Sequence, residues 1–236
     1  FRTQGDTEVL LKAFQFWGKN FIKRIRGMFS ICIWDKKLKT FYAYRDRFGI
    51  KPLYYTKFRS SYIFSSEIKD IINLLKQKKF SENRKVVKNY LYNSFLNDSE
   101  ESFFKDIKSV PPANLIEISN SKLKISKYWS LKYSEKLNLN KHEIINKFKK
   151  AFELHTISDV PIAYTLSGGI DSSLITGIST KIKNFNKKAK FFSVNPPNTV
   201  DESFWINSTV KKFDLNHYYI KIKNGNFHDY KDFLNF

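Results

Sequence analysis

Along the first half of the chain the apolar positions switch period several times. From Asp6 to Ile25, "DTEVLLKAFQFWGKNFIKRI", residues Val9, Leu10, Ala13, Phe14 and Trp17 recur at the three- and four-residue spacing of one helix face, and Asp6 or Thr7 stands where a cap belongs. After Gly27 the period drops to two. "MFSICIWD" and "TFYAYRD" flank "KKLK" as a hairpin, and "PLYYTKF" and "SYIFSSE" flank "RSS" as a second pair, so a helix followed by a β-meander is expected. Helical spacing returns in "SEIKDIINLLKQ", with Glu67 as its cap, and in "RKVVKNYLYNSFL". Beyond Pro111 and Pro112, "ANLIEIS" and "KLKISKYWSL" read as strands.

Downstream the pattern changes in kind. "NKHEIINKFKKAFELHTI" predicts an amphipathic helix over residues 140–157, with Ile144, Ile145, Phe148, Phe152 and Leu154 on its inner face. Strand "VPIAYTL", helix "SSLITGISTKI", strand "KFFSVNP", helix "DESFWINSTVKKF" and strand "NHYYIKI" then alternate. Such alternation predicts βαβ units on a parallel sheet. An α+β domain over 1–132 and an α/β domain over 138–236 are expected, with the boundary near residues 130–140.

Composition adds limits. With 236 residues, 42% hydrophobic and 17% aromatic, the chain can build two cores, and 23 Phe with 13 Tyr exclude a disordered chain. The net charge of +20 invites a nucleic-acid reading. The lysines are strewn along the whole chain, however, often beside Asn and Ile as in "KIKNFNKKAK", and form no stripe; a nucleic-acid partner is not expected. Cys32 is the single cysteine, which rules out an intramolecular disulfide and fits a cytoplasmic setting; in the apolar run "FSICIW" a buried, inert thiol is expected. No apolar run approaches the roughly 18 residues of a membrane span, and no signal-peptide pattern is present. Both ends read as cuts through a longer protein.

One stretch carries chemistry: "TLSGGIDSS", Thr165 to Ser173, between a predicted strand and a predicted helix. The first N–H groups of a helix lack intrahelical partners and sit at the positive end of its dipole, so an anion is favoured there. Gly168 and Gly169 can take positive φ and let the backbone approach a phosphate, while Ser167, Ser172 and Ser173 add hydroxyl donors. Asp171 would repel phosphate by charge alone, so it holds a bridging metal ion or caps the helix. The stretch lacks the lysine of a P-loop and the spaced glycines of a dinucleotide fingerprint. In an open α/β sheet a ligand sits at the carboxyl ends of the strands, which adds Val194 and Asn195 at the exit of the neighbouring strand. Elsewhere the bland readings are the stronger ones. Arg45, Asp46 and Arg47 fix a turn with Gly49 and Pro52, their charges pairing locally. His142, His155, His217 and His228 show no metal spacing; Trp17, Trp34, Trp129 and Trp205 pack in cores; Asp201 and Glu202 cap a helix, with a supporting role near a nucleotide as the alternative.

"SDVPIAYTLSGGIDSS" closely resembles the pyrophosphate loop of glutamine-dependent asparagine synthetases, and "GDTEVLL", "RGMFSICIWD", "YRDRFGIKPLYY", "FSSEIKDI" and "SVPPANLIEIS" with "ISKYW" resemble the later part of their N-terminal glutaminase domain. The resemblance runs from about Thr3 to about Lys223. It implies part of a class II amidotransferase fold of the N-terminal-nucleophile type over 1–132, then part of an ATP pyrophosphatase fold over 138–236. It further implies ATP binding by Leu166, Ser167, Gly168, Gly169, Asp171 and Ser172, with Val194 lining the adenine side. Asp6 would meet the α-amino group of glutamine, and Mg²⁺ would bind with ATP, at Asp171. Glutamine, aspartate and ATP are the implied small-molecule partners, and a homodimer is the implied full-length assembly. The family's nucleophile is an N-terminal cysteine; Cys32 sits mid-strand, so no catalytic residue is assigned in this chain, and by itself it is expected neither to hydrolyse glutamine nor to make asparagine. A related amidotransferase acting on another carboxylate is the alternative.

Overall fold

The computed structural model describes residues 1–94, 100–133, 140–182, 185–186, 188–194 and 201–220. The chain divides into two units, Phe1–Ser134 and Glu135–Phe236.

In the first unit, helix α1 (Asp6–Trp17) ends where Gly18 takes φ 58°, and a 3₁₀ segment, Gly18–Arg24, continues the chain; the single helix expected as far as Ile25 is thus broken at the one residue that enters positive φ without strain. Neither Asp6 nor Thr7 caps α1. Gly5 holds the N-cap position, and the Glu8 carboxylate reaches back to accept from the N–H groups of Arg2 and Thr3 at 2.6 to 3.0 Å. These bonds hold the exposed Glu8 carboxyl below its usual range.

Strands β1 (Ser30–Asp35) and β2 (Thr40–Arg45) form the first hairpin, and β3 (Tyr54–Phe58) and β4 (Ser61–Ser65) the second. They do not form one meander. After α2 (Ile68–Leu74), α3 (Arg84–Asn93) and the short β5 (Lys108–Ser109), β6 (Asn114–Ser119) and β7 (Lys122–Lys127) complete a sheet of order β1-β2-β6-β7, while β4-β3-β5 is a separate sheet. The alternation along β2 explains the split. Tyr42 and Tyr44 join Phe14, Phe21, Ile22, Ile31 and Leu115 beneath the helical segment, with Phe21 edge-on to Tyr44 at 5.3 Å. Ala43, on the opposite face, packs with Leu53, Tyr55, Val110 and Ile116 between the sheets.

Several core expectations fail at the margins. The second sheet covers Ala43 and Ile116 but not the edge strand, so Cys32 and Trp34 are exposed. Trp17 and Trp205 are exposed as well. Glu67 occupies the N-cap position of α2, yet its carboxylate pairs with Lys69 at 3.0 Å and caps nothing.

In the second unit, α4 (Lys141–His155) starts in a capping box: Asn140 Oδ1 accepts from the Glu143 N–H at 2.9 Å, and Glu143 accepts from the Asn140 N–H at 3.0 Å. Of its expected inner face only Phe152 is half-buried, against Tyr164; Ile144, Ile145, Phe148 and Leu154 are exposed, because none of the described residues covers them. Strand β8 (Ala163–Thr165), α5 (Ile170–Ser179), β9 (Lys190–Val194), α6 (Ser203–Phe213) and β10 (Asn216–Ile220) follow the expected alternation. The three strands run parallel in the order β10-β9-β8, with Thr165 beside Phe192 and Ile220 beside Val194, so their carboxyl ends lie together. No helix among the described residues is long and apolar enough to cross a membrane.

Candidate functional site

The site in the second unit is built on the exit of β8. Leu166, 1% exposed, donates its N–H to Phe192 O at 2.9 Å and accepts at its carbonyl from Ser193 Oγ at 2.5 Å. The chain then turns at Gly168, the one loop residue with positive φ, at 79°. A Cβ there would lie 3.2 Å from Glu202 Cβ and O and 3.3 Å from Ile206 Cγ1, so the bend lies hard against the start of α6. Gly169 takes an ordinary extended conformation, φ −68° and ψ 162°, as the N-cap of α5; the positive φ expected there does not occur. With no side-chain cap on α5, the dipole and the first-turn N–H groups face the loop mouth.

The hydroxyls close on one another. Ser172 Oγ accepts from the Ser167 N–H at 3.2 Å, stands 3.1 Å from Ser167 Oγ, and donates to Gly169 O at 3.0 Å. Ser173 is half-buried and donates its N–H to Gly169 O. Asp171, in the first turn of α5, is exposed and caps nothing, which removes the capping role left open by the sequence. Val194 closes β9 half-exposed beside the loop's own strand pair; Asn195 and His228 lie outside the described residues. Glu202 approaches Gly168 directly, while Asp201 accepts the Ser203 N–H at 2.9 Å, the Asx-type bond expected at a helix start.

Ser193, which sequence reasoning passed over, and His217, which it set aside for lack of metal spacing, join this site. Ser193 is 1% exposed, and its hydroxyl is 2.8 Å from His217 Nε2 on β10, whose titration burial pushes down. The available signal was a serine on an inward-facing position of an otherwise apolar strand. No group of three or more His, Cys, Asp or Glu among the described residues could hold a metal ion.

In the first unit, Asp6 is exposed at the start of α1. The 45–51 turn is fixed as expected, but its charges do not pair with one another. Asp46, 1% exposed, accepts four backbone N–H groups, and Arg45 donates to the carbonyls of Gly49, Lys51 and Val110 and to Ser109 Oγ. Arg47 lies over the Trp129 ring at 5.5 Å.

Cys32 is exposed rather than buried, yet neighbouring atoms desolvate the sulfur enough to push its thiol up to about 11. Exposure decides whether a reagent arrives; the shift decides how much thiolate it meets. At pH 8.5 an unperturbed thiol is about half thiolate, whereas one at about 11 is well under one percent. Iodoacetamide should therefore modify Cys32 roughly 100-fold more slowly than a free thiol at pH 8.5, with a rate that climbs to beyond pH 10. Modification at the free-thiol rate would show that the sulfur is not desolvated.

The glutamine amidotransferase domain family matches residues 1–129, and the asparagine synthase family matches residues 143–234. Asparagine synthetase [glutamine-hydrolyzing] 3 of Bacillus subtilis is 31% identical over 92% of this chain and 38% of its own length. Asparagine synthetase [glutamine-hydrolyzing] 2 of the same organism is 34% identical over 74% of this chain and 25% of its own. Amidase chyE of Penicillium rubens is 33% identical over 73% and 26%. A glutamine amidotransferase domain joined to an asparagine synthase domain defines the class, and the chain belongs to the glutamine-dependent asparagine synthetase family. It spans 25–38% of the length of these three relatives.

Proposed function

We propose that this chain contributes to an ATP-dependent amidotransferase that converts aspartate and glutamine to asparagine and glutamate. Residues 1–132 form part of the glutaminase and 138–236 part of the ATP pyrophosphatase. The observation that carries the reading is the β8–loop–α5 unit, in which a strand exit, a positive-φ glycine and an uncapped helix start converge on one anion seat. Leu166, Ser167, Gly168, Gly169, Asp171 and Ser172 hold the ATP phosphates, and Val194 flanks the adenine. Asp6 receives the α-amino group of glutamine.

In the full-length enzyme the reaction would divide between the two domains of which these units are parts. Glutamine and water give glutamate and ammonia at the first. At the second, an aspartate β-carboxylate oxygen attacks the α-phosphorus of ATP, the bond to the β-phosphate oxygen breaks, and pyrophosphate leaves. Ammonia then attacks the β-carbonyl carbon and AMP departs, giving asparagine. The protein's part is to seat the pyrophosphate through backbone N–H groups and to fix the α-phosphorus in line with the carboxylate. Asp171, an exposed carboxylate, would offer Mg²⁺ one oxygen ligand, the remaining ligands coming from the phosphates and water. When bound, Mg²⁺ neutralises charge on the triphosphate.

The amidase among the relatives favours a second reading, the same architecture acting on another carboxylate. Pyrophosphate release by the full-length protein separates the two. We expect release from Mg-ATP on adding aspartate; release with other carboxylic acids and not with aspartate selects the second reading, and release with none of them ends both. The full-length protein is proposed to be a cytoplasmic homodimer, a state that sedimentation would test.

A further inference from the structure

The peptide bond between Leu166 and Ser167 lies where β8 gives way to the loop, and its carbonyl end is held from an unexpected direction. Ser193 Oγ donates to Leu166 O at 2.5 Å, and His217 Nε2 lies 2.8 Å from the same hydroxyl. A hydroxyl has one proton, and a carbonyl oxygen can only accept. With that proton directed at Leu166 O, the Ser193 oxygen must accept from His217, which places a proton on Nε2. The chain of bonds therefore runs His217 to Ser193 to Leu166, across all three strands from β10 to β8.

A trans peptide is planar, with its C=O and N–H on opposite sides of one rigid unit. Holding the Leu166 carbonyl toward β9 therefore turns the Ser167 N–H away from β9. That N–H points into the loop, where it meets Ser172 Oγ at 3.2 Å. Rotation of the 166–167 peptide would proceed through ψ of Leu166 and φ of Ser167, and the Ser193 bond at its carbonyl end and the Ser172 contact at its N–H end oppose it. Rotation would replace a donor at the loop mouth with a carbonyl oxygen, which repels an anion.

We propose that Ser193 and His217 are positioning residues that latch the 166–167 peptide so that the Ser167 N–H faces the pyrophosphate of the nucleotide. This deepens the ATP reading of the loop and rests on it. Neither side chain touches the ligand; both act through the orientation of one backbone donor.

The test is calorimetric titration of the full-length protein with Mg-ATP, with pyrophosphate and with adenosine, thermal unfolding being recorded for each variant. Ser193→Ala and His217→Phe are expected to bind Mg-ATP and pyrophosphate about five- to tenfold more weakly, the range of one lost hydrogen bond. Adenosine affinity should not change. His217→Gln, which returns an N–H donor, should restore most of the loss, whereas a residue that serves only to fill space would be replaced better by the ring of phenylalanine. Unchanged pyrophosphate binding in both Ser193→Ala and His217→Phe overturns the latch and leaves the ATP reading standing. So does an equal loss for adenosine, which points to general packing, or a His217→Gln variant as weak as His217→Phe. A parent protein that binds neither Mg-ATP nor pyrophosphate removes the latch together with the ATP reading.

Discussion

Replacing Gly169 by valine is expected to weaken Mg-ATP binding at least about 100-fold, some 2.7 kcal/mol, while the melting temperature stays within about 2 °C of the parent. The asymmetry comes from the local backbone. Gly169 sits at φ −68° and ψ 162°, a conformation that β-branched residues adopt readily, and a Cβ there would meet only Ser167 Oγ, at an ordinary 3.5 Å. The protein alone should hardly register the change. A phosphate resting on the first N–H groups of α5 would register it, because the added methyls occupy the approach to those donors. Gly168 cannot serve the same purpose. At φ 79°, with Glu202 and Ile206 within 3.3 Å of any Cβ, a side chain there strains the fold as well as the site. Calorimetric titration with a parallel circular-dichroism melt reads both quantities. Equal ATP affinity in Gly169→Val and parent would mean that the nucleotide binds elsewhere.

The second large effect lies in the first unit. Asp46→Ala is expected to lower its stability by about 3–5 kcal/mol, the range seen when a buried charged group loses its role in a bonded network. The carboxylate accepts from the N–H groups of Phe29 at 3.3 Å, Phe48 and Ile50 at 3.1 Å and Lys51 at 2.9 Å. Removing it strands four donors at once. Some of them reach water, since Phe48 and Ile50 are exposed, and this keeps the loss from being the sum of four full penalties. The turn also ties elements far apart in sequence: Asp46 O accepts from the Ala113 N–H at 2.8 Å, and Arg45 reaches Val110 O at 2.7 Å. Its collapse would free β6 from β2 at their common end. Urea unfolding followed by tryptophan fluorescence measures the loss. A change below about 1 kcal/mol would show that the turn is held by its backbone alone.

What the sequence could show was whatever short-range chemistry decides. Both hairpins, helix α4 and the strand–loop–helix around Gly168 follow from period and turn residues, and the structure has them where the pattern places them. What it could not show depends on what lies opposite. The alternation in β1 says that Cys32 and Ile31 face opposite sides, but not that the second sheet stops short of the edge strand. The apolar stripe of α4 predicts a helix correctly and a buried face wrongly for the same reason. The two glycines of the loop look alike in sequence, yet only Gly168 needs its freedom, because only there does another helix crowd the bend. Ser193 and His217 lie 27 and 51 positions beyond Leu166, and parallel strand pairing alone brings them beside it.

The closed ring of contacts among Ser167, Gly169 and Ser172 bears on selectivity. An incoming anion that takes the Ser167 amide must first displace the Ser172 oxygen from it, so its gain there is the difference between two bonds and not the whole of one. A neutral sugar hydroxyl offers that amide nothing better than what it already has. A negatively charged phosphate oxygen does, and the Ser172 hydroxyl donates to it only by turning its one proton away from Gly169 O. Discrimination between charged and uncharged ligands is thus built into the resting loop before any ligand arrives.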